Sequence, residues 1–394
     1  MLAACLSAGL TFSSPVLAAV QTYVVNLRSR QITELGSLGD TRFSTRGFSI
    51  NDTGQVAGSA EISTDGFAHA FITGPDGAGM RDLGTLGGGF SVATAINNAG
   101  QVVGESTLLS SGYHPFLTGP NGVGMTNLGT LSKLGVTPGL ALSINGGGQV
   151  VGTLEREPDS HGFVQYRAFI TGPNGVGMTY LDTLGEHSSY AVDINNAGRV
   201  VGGFVTAAGE GRVFITGSNG VGITDLLGEQ SSANGINEAG QVIGQVRHDE
   251  GGWHGFITGP DGAGITRLNP LGGSSMVPLD INSAGEVVGS SDTGEIDHPH
   301  AFVTGVNGTG LIDLNTLVTL PPGVVLTEAT AINDLGQVVA AGVSLVPEPE
   351  TYAMLLAGLG LLGFMTVVAR RKVDPRLGGP AFRTRASVAR QAGG

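Results

Sequence analysis

The sequence predicts an all-β protein: a seven-bladed β-propeller closed by its N- and C-terminal strands, followed by a single C-terminal transmembrane helix. One short phrase returns seven times with spacings of 42 to 51 residues, a period typical of propeller blades. A second phrase, which reads as strand, glycine-rich turn and strand, alternates with the first. The 394 residues include 68 glycines and only 13% charged residues, a composition that weakens helices and disfavours a helical or coiled-coil protein.

The first phrase is AINNAGQVVG at 95–104, and each copy holds Ile-Asn, two variable residues, Gly, a polar residue and an apolar pair rich in β-branched residues. Because Asn and Gly both tolerate positive φ, the phrase predicts a hairpin turn between two short strands. The predicted turn residues are Asn51, Gly54, Asn97, Gly100, Asn145, Gly148, Asn195, Gly198, Asn237, Gly240, Asn282, Gly285, Asn333 and Gly336.

The second phrase is HAFITGPDGAGMRDLGTL at 69–86, and with its five further copies it predicts about four strands and two hairpins per repeat. A degenerate seventh copy, TYVVNLRSRQITELGSL at 22–38, stands at the front, whereas the last repeat at 329–343 supplies only the first hairpin. Joining these two ends completes a seventh blade and removes the exposed sheet edges. An open β-solenoid is the alternative architecture, but it leaves the matching half-repeats unexplained.

These repeats resemble the HAF-repeat family of bacterial extracellular proteins, since the His-Ala-Phe phrase that names the family stands at 69–71 and 300–302. The resemblance covers 22–343 and implies an extracellular location, without implying a ligand or an activity. We therefore expect one HAF-repeat propeller domain at 20–345.

Residues 1–19 are mostly apolar and end on the small residues Ala18 and Ala19, which is typical of a secretory signal peptide. The positive residues that normally precede the apolar core are missing, so we interpret Met1 as lying downstream of the true start. A lipoprotein cleavage box at 2–5 and a greasy tail are the alternatives. Cys5 is the only cysteine, so the mature domain needs no disulfide.

Three segments follow the repeats in order: the rigid polar stretch VPEPE at 346–350, the uncharged stretch 351–369, and a basic cluster. As a helix, the 19 uncharged residues nearly span a hydrocarbon core of about 30 Å, and the basic cluster prefers the cytoplasmic side. A buried core helix is the alternative, but such a helix normally keeps a polar face. The predicted signal residues are Val346, Pro347, Glu348, Pro349, Arg370, Arg371 and Lys372.

This order resembles the PEP-CTERM sorting signal of exported proteins in Gram-negative bacteria, over residues 346–372. The resemblance implies that a membrane-embedded exosortase cleaves near Pro-Glu-Pro. An inner-membrane tethered precursor then becomes a cell-surface or extracellular protein. With the signal peptide, the expected partners are the Sec export machinery, the exosortase and the membrane. A basic, disordered tail at 373–394 extends beyond the usual end of such signals, and a stable single-span membrane protein is the alternative if this tail blocks cleavage.

The formal net charge of −13 is unevenly distributed along the chain. Residues 370–394 hold seven of the 19 Lys and Arg residues and one of the 32 acids, which leaves 12 basic and 31 acidic residues elsewhere. A body this acidic repels the phosphate backbone, so a nucleic-acid-binding function is excluded.

The sequence predicts no catalytic, cofactor-binding or metal-binding site. The segments GPDGAG and GPNGVG lack the Lys-Ser/Thr of a P-loop and are interpreted as hairpin turns. The richest group of ligand-type side chains, at 292–300, is interpreted as a solvated loop, with a weak Ca²⁺ site as the alternative. That group contains Asp292, Glu295, Asp297, His298 and His300.

Four histidines share one position of the second phrase and therefore belong to different blades: His69, His114, His254 and His300. We interpret them as strand-edge residues that hydrogen-bond to the backbone, not as metal ligands. Tyr113 and Trp253 are placed in the longer inter-strand loops, where they are partly buried or, alternatively, stack on sugars.

We therefore predict a monomeric, exported, non-catalytic propeller that binds polysaccharide or protein at the cell surface or in a biofilm matrix. A secreted propeller glycoside hydrolase or lyase is the alternative. An enzyme should break the repeat at one funnel with acids or histidines from several blades. A scaffold should instead line its funnel with repeat-equivalent small polar residues.

Overall fold

The computed structural model describes residues 20–39, 44–63, 66–109, 111–131, 138–156, 164–181, 188–247, 253–294 and 299–344. Within these ranges the chain forms 28 β-strands and eight short 3-10 turns, with no α-helix and no segment able to cross a membrane as a helix. The predicted signal peptide, sorting signal, transmembrane helix and basic tail lie outside the described residues.

The strands pair into seven antiparallel sheets of four strands each, so the prediction of an all-β, seven-bladed propeller is confirmed. Blades 1 to 6 each use four consecutive strands. Blade 1 contains β3 (Thr45–Ile50), β4 (Val56–Glu61), β5 (Ala68–Ile72) and β6 (Arg81–Gly84), and blade 2 contains β7 (Ser91–Ile96), β8 (Val102–Leu108), β9 (Ser111–Thr118) and β10 (Met125–Asn127). Blade 3 contains β11 (Gly139–Ile144), β12 (Val150–Arg156), β13 (Gln165–Thr171) and β14 (Met178–Tyr180), and blade 4 contains β15 (Ser189–Ile194), β16 (Val200–Val205), β17 (Gly211–Thr216) and β18 (Ile223–Asp225). Blade 5 contains β19 (Ser231–Ile236), β20 (Val242–Arg247), β21 (Trp253–Thr258) and β22 (Ile265–Leu268), and blade 6 contains β23 (Met276–Ile281), β24 (Val287–Ser291), β25 (His300–Thr304) and β26 (Leu311–Asp313).

Blade 7 closes the ring with strands from both ends of the chain. Its strand order is β2, β1, β28, β27, where β1 is Gln21–Asn26, β2 is Gln31–Glu34, β27 is Val324–Ile332 and β28 is Gln337–Ser344. Six residue pairs, from Gln21 with Gly342 to Asn26 with Gln337, join β1 to β28. The front half-repeat and the last hairpin therefore form one sheet, as the repeat count predicted.

The first strand of each blade packs against the first strands of both neighbouring blades, and β27 packs against β3 to complete the circle. These seven strands therefore surround the axis. Seven clusters of buried apolar side chains join neighbouring blades, and six of the blades bury a phenylalanine from the third strand in them. Those side chains are Phe71, Phe116, Phe169, Phe214, Phe256 and Phe302.

The glycine that ends QVVG has a packing role. The first strand of blade 2 bulges between Ala93 and Ala95, which brings its backbone close to the second strand. A Cβ on Gly104 would lie 1.9 Å from the carbonyl oxygen of Val92, so only glycine fits there. The repeated phrase thus combines the turn, the bulge and the second strand of each blade.

Candidate functional site: the axial channel and its asparagine ring

The seven Ile-Asn asparagines form a closed circle of hydrogen bonds around the axis. In each, side-chain Nδ2 donates to the backbone carbonyl oxygen of the corresponding asparagine in the next blade. The bonds run from Asn51 to Asn97 (3.0 Å), Asn97 to Asn145 (3.0 Å), Asn145 to Asn195 (3.1 Å), Asn195 to Asn237 (3.1 Å), Asn237 to Asn282 (3.0 Å), Asn282 to Asn333 (3.4 Å) and Asn333 to Asn51 (2.9 Å). All seven side chains are buried. We call this set the asparagine ring.

Each ring asparagine also organises its own turn. In blade 2, Asn97 Oδ1 accepts hydrogen bonds from the backbone N–H of Ala99 at 3.1 Å and of Gln101 at 3.0 Å, and Nδ2 donates to the Gln101 side chain at 2.8 Å. The amide is therefore fully used, as a buried polar group should be. Asparagine suits this position because it offers both an acceptor and two donors.

The structure corrects one part of the turn prediction. The seven predicted glycines have φ between 71° and 77°, in the left-handed region, but none of the seven asparagines is among the residues with positive φ. Asparagine or aspartate does adopt positive φ in the second phrase, at Asp76, Asn121, Asn174, Asn219, Asp261 and Asn307. In the first phrase the asparagine is thus selected for its side-chain bonds across blades, and the glycine for backbone conformation.

The residue after each ring asparagine forms a second, exposed circle at the same mouth of the channel. It is Asp52, Asn98, Gly146, Asn196, Glu238, Ser283 and Asp334 in blade order, counting blade 7 last. Asn98 Nδ2 donates to the Asp52 carboxylate at 2.8 Å, and Asp334 accepts from the Ser283 hydroxyl at 2.8 Å. This rim is polar and carries three carboxylates.

Below the rim, the axis encloses a cavity of about 220 Å³ lined by the asparagine ring and by the residues just before it. Two of these preceding residues are acidic, Asp193 in blade 4 and Asp280 in blade 6. Both break the repeat, because the other five blades carry serine, alanine or glycine there. Gly235 in blade 5 stands between them and contributes no side chain.

Asp193 connects three blades. Its Oδ1 accepts from the Ser143 hydroxyl of blade 3 at 2.6 Å, and its Oδ2 accepts from the Ile236 backbone N–H of blade 5 at 2.8 Å. Burial raises the pKa of Asp193, and these hydrogen bonds act in the opposite direction because they favour the charged form.

Asp280 connects blade 6 to the closing blade through a 2.8 Å hydrogen bond that its Oδ2 accepts from the Ile332 backbone N–H. Burial raises the pKa of Asp280 to about 7, the Ile332 hydrogen bond lowers it, and the negative charges of Asp193 and Asp334 raise it further. Burial also raises the pKa of Glu238 on the rim, where Asp193 and Asp334 add to the effect. The channel is therefore an acidic space in which Asp280 titrates near neutral pH.

Sequence reasoning missed both channel acids. The signal that identifies them is positional: an aspartate directly before Ile-Asn in two of seven repeats. Aligning the repeats column by column, in addition to counting them, exposes this departure. A strand residue one place before a known turn faces the axis in every blade.

The shared histidine position also differs from the interpretation. Nδ1 of His69 lies 2.9 Å from the Asp82 carboxylate, and Nδ1 of His300 lies 2.7 Å from the Asp313 carboxylate. These partners are side chains at the fourth strand and not backbone groups. In the ranges that the structure describes, no three His, Cys, Asp or Glu side chains are grouped to hold a metal ion.

Tyr113 and Trp253 lie on strands β9 and β21, not in the loops where they were placed. Tyr113 packs edge-on against Phe90 with ring centres 5.6 Å apart and remains 47% exposed. The strands extend to these positions because Thr107 and Arg247 on the neighbouring strands still pair with them. In the 292–300 segment, residues 295–298 lie outside the described residues.

A separate groove lies between blades 4 and 5, at the mouth that carries the asparagine ring. It has a volume of about 720 Å³. Its charged lining residues are Arg199, Asp225, Glu238 and Asp261. Arg199 pairs with Asp261 across the two blades.

Comparison with known families addresses the segment after the last strand. Residues 345–372 match the PEP-CTERM protein-sorting motif, and the match begins one residue after β28 ends at Ser344. The chain carries a PEP-CTERM sorting motif. The predicted sorting signal is thus confirmed, and the motif indicates an exported protein whose membrane-anchored precursor is processed by an exosortase. No curated protein matches the sequence.

Solved structures share the propeller architecture at low sequence identity. The β-propeller domain of the trilobed protease from Pyrococcus furiosus, described as having an open velcro topology, aligns with a TM-score of 0.52 at 10% identity over 75% of this chain and 86% of that chain. A candidate TolB from Agrobacterium tumefaciens aligns at 0.47 with 9% identity over 83% of this chain and 99% of that one. A puromycin-hydrolysing peptidase from Mycobacterium tuberculosis aligns at 0.49 with 11% identity over 73% and 50%. At these identities the likeness concerns the fold alone.

Proposed function

We propose that the propeller at 20–345 is a HAF-type, non-catalytic binding scaffold that acts at the cell surface or in the extracellular matrix of a Gram-negative bacterium. Its precursor is exported by the Sec machinery and tethered in the inner membrane by a helix at 351–369. An exosortase then releases it by cleavage near Pro347–Glu350. The polysaccharide of the matrix is the proposed ligand.

The observation that carries this proposal is the use of the axial polar groups. The asparagine ring occupies the funnel with repeat-equivalent amides, and each amide is spent on bonds between blades. The two acids that break the repeat accept backbone N–H groups of neighbouring blades, at 2.8 Å in both cases. Groups held in this way support a ring and leave little for a reacting substrate.

The alternative, a secreted glycoside hydrolase or lyase, is favoured by one feature. Asp193 and Asp280 line the same cavity with raised pKa values, and carboxyls of unequal pKa are the groups that glycoside hydrolysis uses. The double variant Asp193→Asn, Asp280→Asn separates the two functions. Release of reducing ends or unsaturated products from matrix polysaccharide by the wild type, and its loss in this variant, would establish the enzyme.

Sorting is tested by mass spectrometry of the protein made in an exosortase-bearing host. The wild type should be recovered outside the cell without peptides from 376–394. The variant Pro347→Ala, Pro349→Ala should stay full-length in the membrane fraction. The matched control is Pro321→Ala, Pro322→Ala, an exposed proline pair ahead of β27, which should be processed like the wild type.

Two outcomes contradict the proposal. Peptides from 376–394 on the same intact chain as the propeller would rule out cleavage and favour a single-span membrane protein. Recovery of the propeller in the cytoplasm would rule out export.

A further inference from the structure

The groove between blades 4 and 5 is the place where the propeller departs most from its own repeat. The residue after the ring turn is glutamine in five blades and glutamate in blade 6, but it is Arg199 in blade 4. The first residue of the second-phrase turn is proline in four blades and valine in blade 6, but it is Ser218 in blade 4. Both exceptional residues line the same groove. Departures from a repeat are where function is expected, because the fold alone does not require them.

Each exception changes the groove in a definite way. Serine is smaller than proline or valine and adds a hydroxyl, so Ser218 widens the groove and makes it more polar. Arg199 brings a planar group of five N–H donors where the other blades offer an amide or a carboxylate. Its Nε donates to the Thr216 carbonyl oxygen at 3.4 Å, and its Nη1 contacts Asp261 of blade 5.

The charged groups of the groove are held in place by partners. Asp225 pairs with Arg212 at 3.1 Å, and Glu238 accepts from the Asn196 side chain at 2.6 Å. Side chains fixed before binding lose less conformational freedom when a ligand arrives. The volume of about 720 Å³ lies within the range of roughly 300–1,000 Å³ typical of small-ligand sites.

The chemistry of the lining selects the ligand. Carboxylates accept hydrogen bonds, the guanidinium donates them, and the exposed hydroxyls of Ser218 and Thr224 do both. Ile215 and Leu226 add an apolar surface. A molecule with many hydroxyls matches this mixture, because each hydroxyl donates and accepts. Three carboxylates against one guanidinium repel polyanions.

We propose that this groove binds a short, neutral segment of a polysaccharide. The proposal rests on the function given above and names its ligand class and its location. Arg199 and Ser218 are the residues that give blade 4 this ability.

Isothermal titration calorimetry with defined tetrasaccharides tests the proposal on the purified propeller at 20–345. The neutral probes are cellotetraose, xylotetraose, mannotetraose and tetra-N-acetylchitotetraose, and the charged ones are tetragalacturonate and deacetylated chitotetraose. At least one neutral probe should bind, and the charged probes should bind at least tenfold more weakly. Absence of binding by every neutral probe, or tightest binding of a charged probe, would overturn the proposal.

The variants Arg199→Gln and Ser218→Pro restore the residues that other blades carry, so both should fold with an unfolding midpoint close to that of the wild type. Each should weaken binding at least tenfold. The matched control, Pro173→Ser in blade 3, should leave the affinity within twofold. Binding that survives both blade 4 variants would overturn this location, whereas the binding function itself would stand.

Discussion

Nδ2 of Asn333 donates a hydrogen bond of 2.9 Å to the carbonyl oxygen of Asn51, although 282 residues separate the two in the chain. The same bond joins every other pair of neighbouring blades at separations of 42 to 51 residues. The closing blade is therefore held at the axis by the interaction that holds all others. Ring closure depends on a repeat-wide device, and the paired strands β1 and β28 add to it at greater distance from the axis.

Replacing Asn333 by aspartate should destabilise the propeller strongly. The new carboxylate would face the Asn51 carbonyl oxygen in a buried site, so a donor is lost and an unpaired charge is introduced. The expected loss is about 2–4 kcal/mol in the free energy of unfolding at neutral pH, measured by urea denaturation. Stability should partly return near pH 4, where a protonated carboxyl again donates.

The control for this variant is Asn121→Asp. The same position carries aspartate in blades 1 and 5, at Asp76 and Asp261, with the same positive φ. Its unfolding free energy should stay within about 0.5 kcal/mol of the wild type. An equal loss in both variants would show that added negative charge, and not the broken ring, is responsible.

The architecture could be predicted from the sequence because a propeller writes its blade once per period. Seven copies of Ile-Asn and a half-repeat at each end determine both the blade number and the closing blade. The asparagine ring was not predictable in this way. The spacing of Asn51 and Asn97 indicates repetition, but the bond between their amide and carbonyl depends on how blades pack.

The channel acids show the same limit in another form. Asp193 and Asp280 lie 87 positions apart in the numbering, and only the circular arrangement brings them to one cavity. The histidines were misread for a related reason. His69 and Asp82 are 13 residues apart on different strands, and the register between β5 and β6 decides that they meet.

The stability of the propeller should fall as the pH rises from about 4 to about 7. The folded-state pKa of Asp280 is about 7 against an ordinary value of 3.8, so the folded chain keeps a proton that the unfolded chain has released. Stability from this group is therefore complete below its unfolded pKa and is lost as the pH rises through its folded pKa. The variant Asp280→Asn should remove much of this loss, because the amide oxygen still accepts the Ile332 hydrogen bond.

The measurement is the unfolding free energy of the wild type and of Asp280→Asn at pH 4, 6 and 8. The variant should gain about 2–4 kcal/mol relative to the wild type between pH 4 and pH 8, since one pKa unit corresponds to about 1.4 kcal/mol and channel water screens part of the effect. Parallel pH profiles of the two proteins would contradict the raised pKa.

Two glycines of blade 2 separate backbone strain from close packing. Gly100 and Gly124 have nearly equal φ, 71° and 69°. A Cβ on Gly100 would lie 2.9 Å from the backbone N and Cα of Asn121, whereas a Cβ on Gly124 would meet nothing within 4 Å. Gly124→Ala should cost about 1 kcal/mol from conformation alone, and Gly100→Ala should cost about 2–3 kcal/mol. Equal unfolding free energies would show that the two turns of the blade do not press on each other.

Closure itself is tested by rearranging the chain. Deleting 22–38 removes β1 and β2, so β28 becomes an exposed edge and the buried Tyr23, Val24 and Val25 are lost from two inter-blade clusters. The deleted protein should lose its cooperative thermal transition and aggregate. A circular permutant keeps every strand: Ser344 is joined to Val20 by a short Gly-Ser linker, and the chain is opened at Gly209 in the turn after β16. Because Gln21 pairs with Gly342, the linker spans only the turn of a hairpin. The permutant should therefore unfold cooperatively, with a midpoint near that of the wild type. Failure of the permutant to fold, with the deletion folding normally, would mean that the N-terminal strands are dispensable and that the ring is not closed through blade 7.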